Sequence, residues 1–263
     1  MPLGFRSSQE RRIIVHFHFF KNAGTSVESI LRAHFGKRFA TYEPGGPAET
    51  FPAGALEPFL QKNPSLAAVS SHTIHFPPPE RKGWTVFPIV FLRHPLDRVL
   101  SMYNFEKNQD SDSPGALLAR ETGPAAYITE RLRNPGERTL RNYQAWMLAQ
   151  HLAPGGSDED LLEAARRVIM ELPVVGMVDR FAESIHYFNR WLAPYFPGLD
   201  MSPEHRNSSP LSSLGVSGRL ARLREETGAD LYARLEAENR IDLELYRLAN
   251  ERMASENPFT RES

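Results

Sequence analysis

The chain has 263 residues, enough to bury a full core as one α/β domain, and its apolar (41%) and charged (24%) fractions are those of an ordinary globular protein. A formal net charge of −1 gives no global basic field that would recruit a nucleic acid, so any anion site must be built locally. With no cysteine, disulfides, thiolate-bound zinc and thiol catalysis are excluded. From Met1 to Arg12 the chain is polar, lacks the apolar core of a signal peptide, and reads as a flexible N-terminal segment. Ile13 to Phe20 is short, β-branched and aromatic, and predicts a buried strand. Lys21-Asn22-Ala23-Gly24 is the turn after it, and Thr25 to His34 predicts a helix with Val27, Ile30, Leu31 and His34 on one face. Thr41 to Pro58 is rich in Pro and Gly and reads as a loop; Leu66 to Ser70 reads as a short strand ending at Ser71-His72.

Three consecutive prolines make Phe76 to Gly83 extended or irregular. Val86 to Leu92 predicts another strand, with Pro88 suggesting an edge position or a late start. Arg93-His94-Pro95 turns the chain into a helix from Leu96 to Phe105. Amphipathic helices are expected over Pro124 to Arg133 and Thr139 to Leu152. Ser157 should cap a helix from Asp158 to Met170, whose first turn is acidic as the helix dipole favours. Val174 to Val178 reads as a third short apolar strand, and Asp179 can cap a helix from Arg180 to Trp191. Ser202 to Ser213 is a polar loop, followed by helical patterns from Ser217 toward Leu235 and from Ile241 to Met253. No segment is long enough to span a bilayer, so a soluble, cytoplasmic protein is expected. Strands alternating with helices predict an α/β three-layer sandwich around a central parallel sheet, one domain over residues 1–263.

Two turns carry chemistry. The first is strand, Lys21-Asn22-Ala23-Gly24, then a helix opening on Thr25 and Ser26. The first helical N–H groups have no intrahelical partner, the helix dipole adds positive potential, and Lys21 adds a full charge. Gly24 would let the backbone approach an anion. It is not a Walker A loop, which needs Gly, four residues, then Gly-Lys-Ser/Thr. The competing reading is a tight turn with an ordinary Thr helix cap. The second is Arg93-His94-Pro95-Leu96-Asp97-Arg98-Val99-Leu100-Ser101, with Arg93 at the carboxyl end of a strand, where open α/β sheets place ligands. Its guanidinium suits a phosphate through paired hydrogen bonds. An arginine there also repels a metal, whereas a P-loop kinase usually has an acid that helps hold magnesium. An ATP-dependent small-molecule kinase of P-loop type is therefore the alternative that these residues disfavour.

Together the two segments resemble the carbohydrate-type sulfotransferases that use 3′-phosphoadenosine 5′-phosphosulfate (PAPS), the group that includes heparan sulfate 2-O-sulfotransferase and its bacterial relatives. His18-Phe19-Phe20-Lys21-Asn22-Ala23-Gly24-Thr25-Ser26 is similar to that family's 5′-phosphosulfate loop, with Phe20 where proline is common. Arg93 to Ser101 is similar to its Arg-x-Pro-x-x-Arg-x-x-Ser element for the 3′-phosphate. Residues 175–181 and 239–250 also resemble family segments. The resemblance implies a P-loop-like nucleotide-binding sulfotransferase fold. It implies PAPS as cofactor, adenosine 3′,5′-bisphosphate as product, a saccharide or other small-molecule hydroxyl as acceptor, and no metal. Lys21 to Ser26 would hold the 5′ end, with Lys21 on the bridging oxygen. Arg93 and Ser101 would hold the 3′-phosphate, while Arg98 could instead support the loop.

The family places its catalytic histidine just after a short strand, often as Gly-His. Ser71-His72 matches with Ser in place of Gly, and His75 is the alternative base. The family also closes a late loop over the 3′-phosphate, which Arg206 and Ser208 could do. Arg131, Arg133, Arg138 and Arg141 form a basic cluster that could receive an anionic acceptor, against the reading of a solvated helix face.

Overall fold

Strand β1, Arg11–Phe17, buries every residue from Ile13 onward and runs through the middle of a parallel sheet. The computed structural model describes residues 10–45, 51–202 and 214–255. After β1 come helix α1 (Gly24–Phe35), strand β2 (Phe39–Thr41), the two-residue strand β3 (Phe51–Pro52) and helix α2 (Leu56–Lys62). Strands β4 (Ala68–Ser71), β5 (Ile74–His75) and β6 (Trp84–Leu92) follow. Beyond them are helices α3 (Pro95–Asn108), α4 (Pro114–Glu121), α5 (Pro124–Arg133), α6 (Tyr143–Ala149) and α7 (Asp158–Glu171). Strand β7 (Gly176–Met177) and helices α8 (Phe181–Leu192), α9 (Val216–Thr227), α10 (Ala229–Glu238) and α11 (Arg240–Ser255) complete the order. The protein is α/β, with a central parallel sheet of order β2-β4-β1-β6-β7 flanked by helices. β3 and β5 form a separate parallel pair.

The chain divides into two compact units. The first comprises Met1–Phe91, Leu172–Gly176 and Ala182–Pro203; the second comprises Leu92–Glu171, Met177–Phe181 and Glu204–Ser263.

In the first unit β1 pairs with β4 from Ile14↔Ala68 to Phe17↔Ser71, and with β6 from Arg11↔Trp84 to Phe17↔Val90. The carboxyl ends of these strands therefore lie side by side. The expected strand over 13–20 stops three residues early, because Phe20 to Ala23 already form the turn. β6 starts at Trp84, two residues before its predicted start, and keeps Pro88 inside its ladder with β1. β7 adds only Gly176–Met177 on the far flank of β6, so a proline lacking an N–H costs that flank little. A Cβ on Gly176 would lie 2.6 Å from the Phe91 ring, which is why the strand there has no side chain. Phe91 packs at a tilt against Phe188, and Phe87 packs among Trp191, Tyr195 and Phe196. The stretch over 41–58, read from sequence as one loop, holds β3 and the start of α2, which buries Leu56 and Leu60.

The second unit is helical. Ser113 caps α4 by accepting the Ala116 N–H at 3.3 Å, and Ser157 Oγ accepts the Asp160 N–H at the start of α7 as predicted. α6 and α11 cap each other. Asp242 accepts from the N–H groups of Gln144 and Ala145 at 3.0 and 2.8 Å, while Asn142 Oδ1 accepts from Ile241 and Asp242. Gly228, at φ 79°, breaks the helical stretch after residue 217 into α9 and α10, a conformation that favours glycine. Asp179 does not cap α8; it lies in a short 3₁₀ turn and accepts a hydrogen bond from the Tyr246 hydroxyl at 2.9 Å. No helix among the described residues is long and apolar enough to cross a membrane.

Candidate functional site

The first unit gathers one cluster at the carboxyl ends of β1 and β4. Between β1 and α1 the backbone takes positive φ twice at side-chain-bearing residues, 65° at Lys21 and 60° at Ala23. Each such residue costs about 1–3 kcal/mol, so the surrounding structure must hold the turn in place. One holding contact is Asn22, which is 2% exposed and donates its amide N–H to the Phe91 carbonyl at 2.7 Å. The Asn22 side chain is thus committed to the scaffold. Ala23 is the N-cap of α1 and no side chain caps that end. The first amides of the helix, which have no intrahelical acceptor, are therefore without a side-chain cap. Thr25 is exposed and Ser26 half-buried.

Gly24 is buried against a neighbouring ring. A Cβ at position 24 would overlap the His18 imidazole, so the missing side chain makes room for that ring. His18 in turn packs at a tilt of 31° against His72, with ring centroids 3.7 Å apart, and stacks on His16 at 5.2 Å. His16 hydrogen-bonds the Ser70 hydroxyl at 2.9 Å. Burial pushes the His18 pKa down to about 3, helped by His72 and Lys21 against the opposing charge of Glu43. Burial likewise lowers that of His16 well below the usual histidine range. Both rings are neutral at physiological pH.

His72, directly after β4, is the half-exposed member, with 46% of its side chain accessible. Its Nδ1 lies 2.8 Å from Glu43 Oε1, and its backbone N–H reaches both Glu43 oxygens at 3.0 and 3.1 Å. Burial works to raise the Glu43 pKa, but the hydrogen bonds and charge of His72 outweigh it and hold the carboxyl below its ordinary value. Ser71, where the sulfotransferase-like pattern has glycine, uses its hydroxyl to accept from the N–H groups of Thr73 and Ile74 and shapes the turn. His75 is fully buried in β5. Sequence reasoning missed Glu43, because the signal is a contact across 29 residues from a segment read as loop.

In the second unit Arg93 follows β6. The side chain of Gln144 brackets its peptide, accepting the Arg93 N–H and donating to the Arg93 carbonyl, both at 2.9 Å. Arg93 Nε donates to Asp97 Oδ2 at 2.7 Å, and Arg219 grips the same carboxylate at 2.6 and 2.9 Å. Burial opposes the Asp97 charge, yet the Arg219 hydrogen bonds and the Arg93 charge keep its pKa below the usual range. Two guanidiniums share this carboxylate, and the charge of Asp179 also acts on Arg219. Arg98 is fully buried, donates to the Thr139 carbonyl and packs over the Tyr143 ring at 4.4 Å. Ser101 lies half-buried on α3.

Three of the four arginines of the basic cluster are paired with acids. Arg131 pairs with Glu106 and Glu137, Arg133 with Glu130, and Arg141 with Glu238, which makes it neither a bare anion patch nor a simple solvated face. Arg206 and Ser208 lie outside the described residues.

No protein-family model matches the chain. It is 32% identical over 245 residues to an uncharacterized protein of Archaeoglobus fulgidus, an alignment covering 90% of this chain and 95% of the relative. With that identity across nearly the full length of both, the chain belongs to the same family as the archaeal protein.

Proposed function

We propose that this protein is a sulfotransferase that moves a sulfuryl group from PAPS to an acceptor hydroxyl, with His72 as general base. The observation that carries the reading is the packing at the β1 and β4 ends: His72 rests against His18, and His18 fills the space over Gly24 at the start of α1. A half-exposed imidazole and an uncapped helix start beside a lysine-bearing turn thus belong to one cluster. Proton removal and anion stabilisation are the two demands of transfer to a hydroxyl.

The residues fit the donor. The uncapped first turn of α1, with Lys21, Thr25 and Ser26, has the chemistry to hold the 5′-phosphosulfate. The guanidiniums of Arg93 and Arg219, oriented by Asp97, have the chemistry to hold the 3′-phosphate. PAPS, when bound, supplies the sulfuryl group and an adenosine 3′,5′-bisphosphate leaving group. Lys21 and the first amides of α1 neutralise the charge that builds on the leaving oxygen. His72 takes the hydroxyl proton, and His18, kept neutral by burial, gives it a packed wall that adds no competing charge. His72 is preferred over His75 because an acceptor cannot reach a ring with no exposed surface. A saccharide acceptor follows from the family resemblance alone.

The test is a panel of hydroxyl compounds, saccharides first, incubated with radiolabelled PAPS. Wild type should label at least one of them, and Lys21→Ala and His72→Ala should each lower turnover by at least ~100-fold with the circular dichroism spectrum unchanged. Wild-type-like turnover in either variant would remove that residue's role.

A further inference from the structure

We propose that Glu43 is the positioning residue of this site, fixing the His72 imidazole in the tautomer whose Nε2 lone pair is free to take a proton. A carboxylate only accepts hydrogen bonds, so at 2.8 Å from Oε1 the proton must sit on His72 Nδ1. The lone pair is then on Nε2, which has no hydrogen-bond partner among the described residues. Tautomer choice in histidine is set by the bond its other nitrogen makes.

Glu43 is built to do this. Tyr42, just before it, donates its N–H to the Ser70 carbonyl of β4 at 3.0 Å and its hydroxyl to the Ala55 carbonyl at 3.1 Å. Its ring stacks on Phe59 at 4.5 Å. The carboxylate then takes both the backbone N–H and the ring N–H of His72, so ring and main chain are gripped by one group. The titratable groups around the imidazole are Glu43, His18 and His16, with Lys21 acting on His18. Glu43 is the acid bonded to the His72 ring, whereas Glu28 lies 3.5 Å from His18 Nδ1. The hydroxyl proton passes to Nε2 and leaves the oxygen lone pair for bond formation. The identity of that hydroxyl rests on the sulfotransferase reading; the tautomer does not.

Full-length protein with ¹⁵N-labelled histidine, free of nucleotide, tests this by long-range proton–nitrogen correlation at about pH 8, where histidine is ordinarily neutral. His72→Gln identifies the signal. Wild-type His72 should be chiefly the Nδ1–H form. Glu43→Leu should lower the ratio of Nδ1–H to Nε2–H by about tenfold or more, and Glu43→Gln, which keeps an accepting oxygen, by less. If the leucine variant does not fold, the glutamine variant carries the comparison. A wild-type ring that is mainly Nε2–H, or a ratio unmoved by either change, overturns the proposal. Radiolabelled PAPS with the saccharide panel separates the two claims. Transfer by wild type with an unmoved tautomer ratio sinks the Glu43 role alone, whereas a tautomer shift without transfer in wild type sinks the sulfotransferase reading and leaves the pair standing.

Discussion

His18 is packed between a glycine and another histidine and cannot be charged cheaply where it sits. Its folded pKa, about 3, lies below the ordinary value of 6.5. The stability linked to its neutral form is complete above pH 6.5 and is lost as pH falls from there toward 3, a window in which unfolding takes up about one proton at this ring. His18→Gln should remove that proton from the pH dependence of stability. Urea midpoints measured from pH 6.5 down to pH 4 report it, and an unchanged slope would contradict the neutral, buried ring. Residues whose place in the fold is set locally were legible in the sequence: Lys21 and Gly24 in the turn between strand and helix, Arg93 at a strand end, Ser157 before an acidic first turn. Those defined by distant partners were not. Glu43 meets His72 across 29 residues and Arg219 meets Asp97 across 122, and no local spacing marks either pairing.

At the scale of elements, α1 begins where it does because of the turn before it. Lys21 and Ala23 accept strained backbone, Asn22 ties the turn to the end of β6, and Gly24 admits His18 beneath the first helical turn. Gly24→Ala should therefore cost stability by overpacking, about 1–3 kcal/mol. His18→Ala alone should also destabilise, by leaving a cavity. The double variant should cost clearly less than the sum, because removing the ring makes room for the new methyl. Additive losses in a denaturant-based double-mutant cycle would show that the glycine serves something else. Periodicity identified α1, α5, α7 and α11 to within a residue or two, since each carries an apolar stripe. It missed α4, whose two turns bury little beyond Ala116 and Ala119, and it ran α9 and α10 together across Gly228. Pro88 was a fair sign of a poorly covered strand flank but a poor guide to where β6 starts.

For the molecule as a whole, the parallel α/β architecture followed from alternating strand and helix patterns, and the sheet order places β1 between β4 and β6. Division into two units left no mark in composition, because neither unit is one continuous run of sequence. The proposed sulfotransferase activity requires the turn at Lys21 and the strand end at Arg93 each to hold a phosphate. Isothermal titration with adenosine 3′,5′-bisphosphate in the presence of EDTA tests this most directly. Wild type should bind without magnesium, with Lys21→Ala and Arg93→Ala each weakening binding by about tenfold or more, as expected for loss of a charge-assisted contact. A dissociation constant unchanged by Arg93→Ala, or binding seen only for ATP with magnesium, would contradict it.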